Sequence, residues 1–157
     1  FNNYKICIAG KFEGDLNYYR DLIQNEEKFE IINEFIPINR VADLFENSDI
    51  IALPYISGTQ SGVLAIAFGL GKPVVATNVG SISEYLEHGR TGILVQPYDE
   101  KSLASAILEL LLDEEKCKFY GEKALEFADS ALDWKTIGRN TMQVYKDMLE
   151  YHYEELL

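Results

Sequence analysis

The segment from Ser57 to Val95 carries residue types and spacings that suit the binding of an anionic ligand. Its pattern predicts a loop, a helix, a tight turn, a buried strand, a Gly-bearing loop, a short helix, a turn and a strand. Two helices therefore begin soon after buried strands. The first backbone N–H groups of a helix lack partners within it, and the helix dipole favours negative charge there. A diphosphate is the ligand that such helix N-termini suit.

The loop Thr59-Gln60-Ser61-Gly62 opens the first of these helices. We predict Ser61 as its N-cap or first-turn residue, and Gly62 as a position where a ligand can approach the backbone closely. The N–H groups of Ser61, Gly62 and Val63 would then point at a diphosphate. Gln60 could bond a sugar or ribose hydroxyl. The alternative is that Ser61 only caps the helix and Gly62 only packs against a neighbouring strand.

The second helix is shorter and follows the run from Asn78 to Ser81. Ser81 or Ser83 is expected to cap it, and Glu84 near its start complements the helix dipole. The turn between the first helix and the next strand is expected to be architectural. Gly71 would end that helix in a left-handed conformation, and Lys72-Pro73 would lead into the strand.

The elements that must position these residues alternate between short apolar strands and helices. The predicted strands are Tyr4–Ala9, Phe29–Ile32, Asp49–Leu53, Pro73–Thr77 and Gly92–Val95. The predicted helices are Asp15–Glu26, Asn39–Asn47, Ser61–Leu70, Ser83–Glu87, Asp99–Leu112, Glu114–Ala128 and Asp133–Glu154. This alternation predicts an α/β fold, a Rossmann-like doubly wound parallel sheet with helices on both faces. Without a linker or repeat, we expect one domain over residues 1–157. Ligands of such sheets bind at the carboxyl ends of the strands.

The composition argues against several function classes. A formal net charge of −12 disfavours the binding of nucleic acid and a polybasic membrane surface.

Cys7, in an apparently buried strand, and Cys117 are expected to be reduced buried or half-buried thiols. No cysteine, histidine or acidic cluster has the spacing of a metal site, and no nucleophile–histidine–acid set can be assembled, so no metal or cofactor is expected. His88 and His152 are expected at the surface. No signal peptide is expected, and no apolar run approaches the ~20 residues of a membrane span.

Two other nucleotide-related folds fit poorly. The first strand ends in Ala9-Gly10-Lys11-Phe12, without the G-x-G-x-x-G turn of a dinucleotide-binding domain. A phosphate-receiver domain would need an aspartate where Leu53-Pro54 stands.

Four motifs in order resemble the C-terminal half of the group 1 glycosyltransferases, which are retaining enzymes of the GT-B fold. They are Ser48–Pro54, Gly71–Gly80, Glu84 and Gly89–Pro97. The resemblance implies that this chain is a fragment that binds a nucleotide-sugar donor, while a missing N-terminal domain binds a sugar, a lipid-linked or another hydroxyl acceptor. It implies sugar transfer with retention, normally without a metal. A cytoplasmic enzyme of cell-surface polysaccharide or glycolipid synthesis is expected, peripheral at the inner membrane face through its N-terminal half.

The resemblance also assigns roles to individual residues. It places Thr59, Gln60 and Glu84 near the donor sugar or ribose, with a structural role in the loop as the alternative for Glu84. The loop after the second strand, Phe35-Ile36-Pro37-Ile38, would hold the base, with Phe35, Ile36 and Ile38 as its binding residues. Two glutamates of the family fall on Gly58 and Ile66 here, which lack any side-chain acceptor.

These departures leave two interpretations open. The fragment alone is expected to be inactive, whereas the complete protein is expected to be a glycosyltransferase. The alternative is a degenerate, non-catalytic GT-B module that binds a nucleotide sugar or scaffolds a partner. Aromatic residues of the last helix, Trp134, Tyr145, Tyr151 and Tyr153, are expected to pack on the domain or on the missing half.

Overall fold

Parallel strands form two sheets in the computed structural model, which describes residues 4–154 and, within them, the side chains up to Tyr151. One sheet pairs β1 (Ile6–Ala9) with β2 (Phe29–Ile32), and the other has the order β3 (Ile51–Leu53), β4 (Val74–Thr77), β5 (Gly92–Val95). Every described strand pair is parallel, and a helix stands between successive strands. The predicted α/β class is confirmed.

The predicted helices are all present in the described range, with shifted ends. They are α1 (Leu16–Arg20), α2 (Ile38–Glu46), α3 (Gly62–Gly69), α4 (Ile82–Tyr85), α5 (Glu100–Leu112), α6 (Glu114–Ala131) and α7 (Trp134–Glu154), with a 3-10 turn at Glu26–Lys28.

The largest shift is in α1, which ends at Arg20 although helical spacing predicted an end near Glu26. Asp15 caps its start by accepting a bond from the N–H of Asn17, 2.9 Å away. After Arg20 the backbone hydrogen bonds span three residues instead of four. The N–H of Leu22 donates to the carbonyl oxygen of Tyr19, and that of Ile23 donates to the carbonyl oxygen of Arg20. Leu22 is 64% exposed, so its apolar side chain finds little to pack on. Short helices depend on such packing, which explains the early end.

The chain divides into two units, Phe1–Leu44 and Phe45–Leu157, and each is described by itself. In the first unit, the prediction of a buried first strand is wrong. All four residues of β1 are exposed, including Ile8 at 51% and Cys7, which was expected to be buried. A unit of this size has too little chain to cover both faces of a sheet.

The second unit has a core on both faces of its sheet, because successive side chains of a strand point to opposite sides. The central strand β4 is wholly buried. Val74 and Ala76 pack with α3, α4 and α6, whereas Val75 packs with α5 and Tyr120. This confirms, for the second unit, the prediction of a parallel sheet with helices on both faces.

The turn from α3 into β4 is fixed by glycine, as predicted. Gly71 has φ +63°, which ends the helix in the left-handed region. Gly121 of α6 lies so close that a Cβ there would overlap the carbonyl oxygen of Gly71. Lys72 donates to the carbonyl oxygen of Glu46 at 3.1 Å, which supports its architectural reading.

The last helix, α7, contributes little to this core. Trp134 is 83% exposed, and Tyr145 and Tyr151 are exposed as well. They therefore do not pack on the described domain, and their packing on a missing half stays a prediction. The side chains of His152 and Tyr153 lie outside the described residues. Within the described range, no helix is long and apolar enough to span a bilayer.

Candidate functional site

The start of α3 has the geometry that the sequence predicted. Ser61 is its N-cap, in extended conformation, and its Oγ accepts a hydrogen bond from the N–H of Leu64 at 3.2 Å. The hydroxyl of Tyr55 lies 3.2 Å from the same Oγ. The N–H groups of Gly62 and Val63 have no acceptor among the described residues. Two backbone donors are therefore available to an outside anion at this helix end.

The helix behind these donors is held by apolar packing. Leu64, Ala67 and Phe68 are buried, and they belong to the core cluster that includes Ala124 and Ala128 of α6. The ring of Phe68 meets that of Phe127 edge-on, with centroids 5.8 Å apart. Because α3 is anchored along its length, its N-terminus has a fixed position relative to the sheet.

The loop before α3 is joined to the loop before α4. Ser81 donates twice to the carbonyl oxygen of Thr59, from its backbone N–H at 2.9 Å and from its Oγ at 2.7 Å. Gly80 has φ +55°, and a Cβ on it would overlap the carbonyl oxygen of Gly58 and lie 2.7 Å from that of Thr59. Only glycine allows the two loops to come this close.

Of the two serines predicted to cap the short helix, Ser81 occupies the N-cap position and Ser83 does not. Helix α4 begins at Ile82, and Ser81 stands at the N-cap position without a side-chain cap bond. Its hydroxyl is directed to Thr59 instead. Ser83 lies inside the helix and is exposed.

A groove of about 220 Å³ opens beside the start of α3. Both polar and apolar residues line it, and most of its surface is apolar. Its lining is Gln60, Ser61, Gly62, Leu64, Ala65, Phe68, Ser81, Ile82, Tyr85 and Leu132. It is smaller than the ~300–1,000 Å³ usual for ligand pockets, so it suits part of a ligand.

The structure thus brings three of the predicted donor-site residues, Gln60, Ser61 and Gly62, into one groove. Thr59 and Val63 are exposed neighbours outside its lining. Glu84 is also exposed and outside it, in the first turn of α4. Its carboxylate accepts no hydrogen bond from the described residues, so the structural role considered for it has no support there.

The sequence did not predict a role at the site for Tyr55, Tyr85 or Leu132. Tyr55 contacts Ser61 and lies two residues after the end of β3, so its position at the carboxyl end of a strand was a usable signal. Tyr85 and Leu132 line the groove. Leu132 lies between α6 and α7 and carries no local signal for this position.

The positions of the two family glutamates offer no charge. Gly58 is exposed, with its carbonyl oxygen facing Gly80, and Ile66 is half-buried. The lining of the groove contains no aspartate, glutamate, lysine or arginine. Attraction for an anion there depends on backbone donors and the dipole of α3.

The predicted base-binding loop lies in the first unit. Phe35 and Ile38 are 79% and 82% exposed, and Ile36 is half-buried. Ile38 is the first residue of α2 rather than a loop residue. An ion pair between Arg40 and Glu34 flanks the loop.

The remaining candidate groups have structural roles. His88, which is exposed as predicted, accepts a hydrogen bond at Nδ1 from the N–H of Leu94, 3.1 Å away. Burial raises the pKa of the half-buried Cys117 thiol, which disfavours the reactive thiolate. Among the described residues, no group of three histidines, cysteines or carboxylates could hold a metal ion.

Comparison with known proteins finds that this chain is similar in sequence to glycosyltransferases. The model of the family "Glycosyl transferases group 1" matches residues 1–113. A D-inositol 3-phosphate glycosyltransferase of Pseudarthrobacter chlorophenolicus is 26% identical over 98% of this chain and 37% of its own length. The protein of the same name from Paenarthrobacter aurescens is 33% identical over 91% of this chain and 36% of its own. The chain therefore spans little more than a third of these relatives.

A solved structure shows the same fold. HepE of Anabaena, crystallised in complex with UDP, superposes with a TM-score of 0.80 at 23% identity, over 93% of this chain and 42% of that one. This likeness confirms the predicted α/β architecture.

Proposed function

Because this chain belongs to the group 1 glycosyltransferases, we propose that it is the donor-binding half of a retaining enzyme. The complete protein would transfer a sugar from a nucleoside diphosphate to an acceptor hydroxyl. The part of the protein outside this chain would bind the acceptor, a sugar, a lipid-linked group or another hydroxyl compound. Cell-surface polysaccharide or glycolipid synthesis is the role we propose for it.

The observation that carries this proposal is the start of α3. Two backbone N–H groups, of Gly62 and Val63, are left without acceptors in the described structure, beside a groove that also holds Gln60. Such donors and the helix dipole suit the diphosphate of a nucleotide sugar. The chain's net charge of −12 makes this local source of attraction important, because the overall field repels anions.

The remaining contacts of this proposal are those that the family resemblance assigns. Thr59, Gln60 and Glu84 would meet the sugar or ribose hydroxyls, and the exposed carboxylate of Glu84 is available to accept such a bond. Phe35, Ile36 and Ile38 would hold the base. A nucleotide at this fold is supported by HepE, which was solved with UDP.

The chemistry that these groups can supply is electrostatic. When the glycosidic bond to the diphosphate breaks, negative charge grows on the departing oxygen. Fixed N–H donors stabilise that charge without reorganising, and this is a large source of catalysis in many enzymes. The cleft would hold the acceptor hydroxyl on the face of the sugar from which the diphosphate departs, so that the new glycosidic bond forms with retention and the hydroxyl proton passes to the departing phosphate oxygen. The proposal includes no bound metal, and binding in excess EDTA tests that part of it.

The experiment that tests the proposal removes one donor and leaves the helix in place. Gly62 is the first residue of α3, where proline is well tolerated, and the extended backbone of Ser61 suits a residue before proline. Gly62→Pro thus replaces the N–H by the ring Cδ of proline while the start of the helix is kept. Gly62→Ala is the matched control, since a Cβ at Gly62 meets nothing within 4 Å.

Calorimetric titration with UDP, GDP and ADP gives the readout. We expect one of them to bind the wild type and Gly62→Ala equally, and Gly62→Pro at least ~10-fold more weakly, as for a lost bond to a charged group. Equal affinity of the Pro and Ala variants would contradict the diphosphate site. So would the failure of all three nucleotides to bind.

A second candidate function rests on a specific observation. The lining of the groove has no acidic side chain, and Gly58 and Ile66 stand where the family's glutamates are expected. A degenerate module would bind a nucleotide sugar or scaffold a partner without turning it over. Release of nucleoside diphosphate by the full-length protein favours the transferase, whereas binding without release favours the module.

A further inference from the structure

We propose that Ser81 is a positioning residue of the donor site, acting through Thr59. Its hydroxyl would hold the loop from Ile56 to Gln60 so that Gln60 and the first N–H groups of α3 face one ligand. This inference rests on the proposed function for its ligand, and on geometry alone for its action on the loop.

The loop depends on Ser81 to an unusual degree. Within the described part of the chain, residues 56–60 take part in only two hydrogen bonds. Both are donated by Ser81 to the carbonyl oxygen of Thr59. Both converge on a single oxygen, which has two lone pairs and can accept both. The loop is otherwise exposed. Its middle is thus fixed by one residue that lies 22 positions later in the chain.

The same contact sets which way the loop faces. Because the carbonyl oxygen of Thr59 accepts both bonds from Ser81, the orientation of the Thr59–Gln60 peptide is fixed. Gln60, the next residue, lines the groove, and Ser61 after it caps the helix. Gly80 completes the arrangement, because its missing side chain leaves room for the carbonyl oxygens of Gly58 and Thr59. Loss of the hydroxyl would therefore loosen the groups proposed to meet the ligand.

Substitutions at position 81 distinguish the contribution of the hydroxyl from that of the backbone N–H. Ser81→Ala removes the 2.7 Å bond and keeps the backbone N–H bond, so the fold is retained. Ser81→Thr restores a hydroxyl at the same position. Ser83→Ala is the control, since Ser83 lies in the helix that follows Ser81, is exposed, and its hydroxyl has no hydrogen-bond partner among the described residues.

The first readout is taken without any ligand, because Ser81 also lines the groove and could otherwise act by direct contact. Backbone ¹⁵N order parameters of Thr59 and Gln60 should be near ~0.85 in the wild type and fall below ~0.6 in Ser81→Ala. Ser81→Thr and Ser83→Ala should keep the wild-type values. Unchanged order parameters in Ser81→Ala would overturn the proposal.

The second readout is titration of the same variants with UDP, GDP and ADP. For the nucleotide that binds the wild type, Ser81→Ala should bind about 3- to 10-fold more weakly, the scale of one net hydrogen bond, and Ser81→Thr should recover. A loosened loop with unchanged affinity would also overturn the positioning role. If the wild type binds none of the three, the proposed function fails, and the order parameters still decide whether Ser81 holds the loop.

Discussion

Gly80 and Gly89 show how differently two glycines of one chain can be used. Both have positive φ, +55° and +80°, a conformation that other residues adopt at a cost. Around Gly89 there is open space for a Cβ, whereas around Gly80 the carbonyl oxygens of Gly58 and Thr59 fill it. Gly89 therefore serves only the turn, and Gly80 serves the turn and the contact between two loops.

This difference predicts unequal effects of the same substitution. Gly89→Ala should lower the free energy of unfolding by about 1–2 kcal/mol, from backbone strain alone. Gly80→Ala carries the same strain and an overlap with backbone, so it should cost clearly more. Urea unfolding of both variants gives the two values. Equal costs would show that the loops can separate without penalty.

Residue roles were predictable where the partner is near in sequence. Ser61 precedes an apolar run, and its cap bond reaches Leu64, three positions away. The role of Ser81 could not be predicted, because its partner Thr59 lies in a different loop. Local patterns report local bonds, and Ser81 was accordingly assigned to the nearest helix.

At the scale of elements, the acidic N-caps define where the long helices begin. Asp99 precedes α5 and accepts bonds from the N–H and hydroxyl of Ser102, at 2.9 and 2.7 Å. Asp113 caps α6 in the same way through the N–H of Lys116. The bonds from Ser102 lower the pKa of Asp99 below its ordinary value.

This cap makes stability depend on pH in a definite direction. A carboxyl with a lowered folded-state pKa stabilises the fold above its unfolded pKa of ~3.9 and loses that effect as pH falls through the folded value. Asp99→Asn keeps an acceptor and removes the titration. Wild type should exceed Asp99→Asn in urea midpoint at pH 7, and the difference should shrink at pH 3. A difference that stays constant would contradict the cap's ionisation.

Elements were predictable from apolar spacing, and their ends only where a local signal marks them. β2 and β5 match their predicted bounds, being apolar runs between turn residues. α1 ended early and α6 continued to Ala131, because packing decides how far a helix extends. The exposure of β1 was missed for the same reason, since an apolar run does not reveal what covers it.

Across the whole molecule, burial is concentrated in the second unit. Leu110 of α5 is 1% exposed in that core, whereas Leu149 of α7 is 65% exposed. The division after Leu44 falls inside α2, without the glycine or proline that marks a linker, so the sequence carried no sign of it. Class and parallel pairing were predictable, because they follow from the alternation of apolar strands and helices.

Two leucine substitutions test whether the buried core, and not the exposed helix α7, holds the stability of the chain. Leucine and alanine have similar helix propensities, so the comparison isolates burial. Leu110→Ala should lower the free energy of unfolding by about 2–5 kcal/mol, as for a buried cavity. Leu149→Ala should change it by no more than about 0.5 kcal/mol. Thermal unfolding followed by circular dichroism provides both, and a large effect of Leu149→Ala would mean that α7 is packed in solution.

The exposure of Trp134 determines which process tryptophan fluorescence can report in this chain. It is the one tryptophan of the sequence, and its indole is already in water at the first residue of α7. Its fluorescence emission is therefore close to that of the unfolded state and is nearly silent when the core melts. A blue shift of the same emission would instead mark the covering of that helix end. The chain thus carries a built-in reporter of contact rather than of folding.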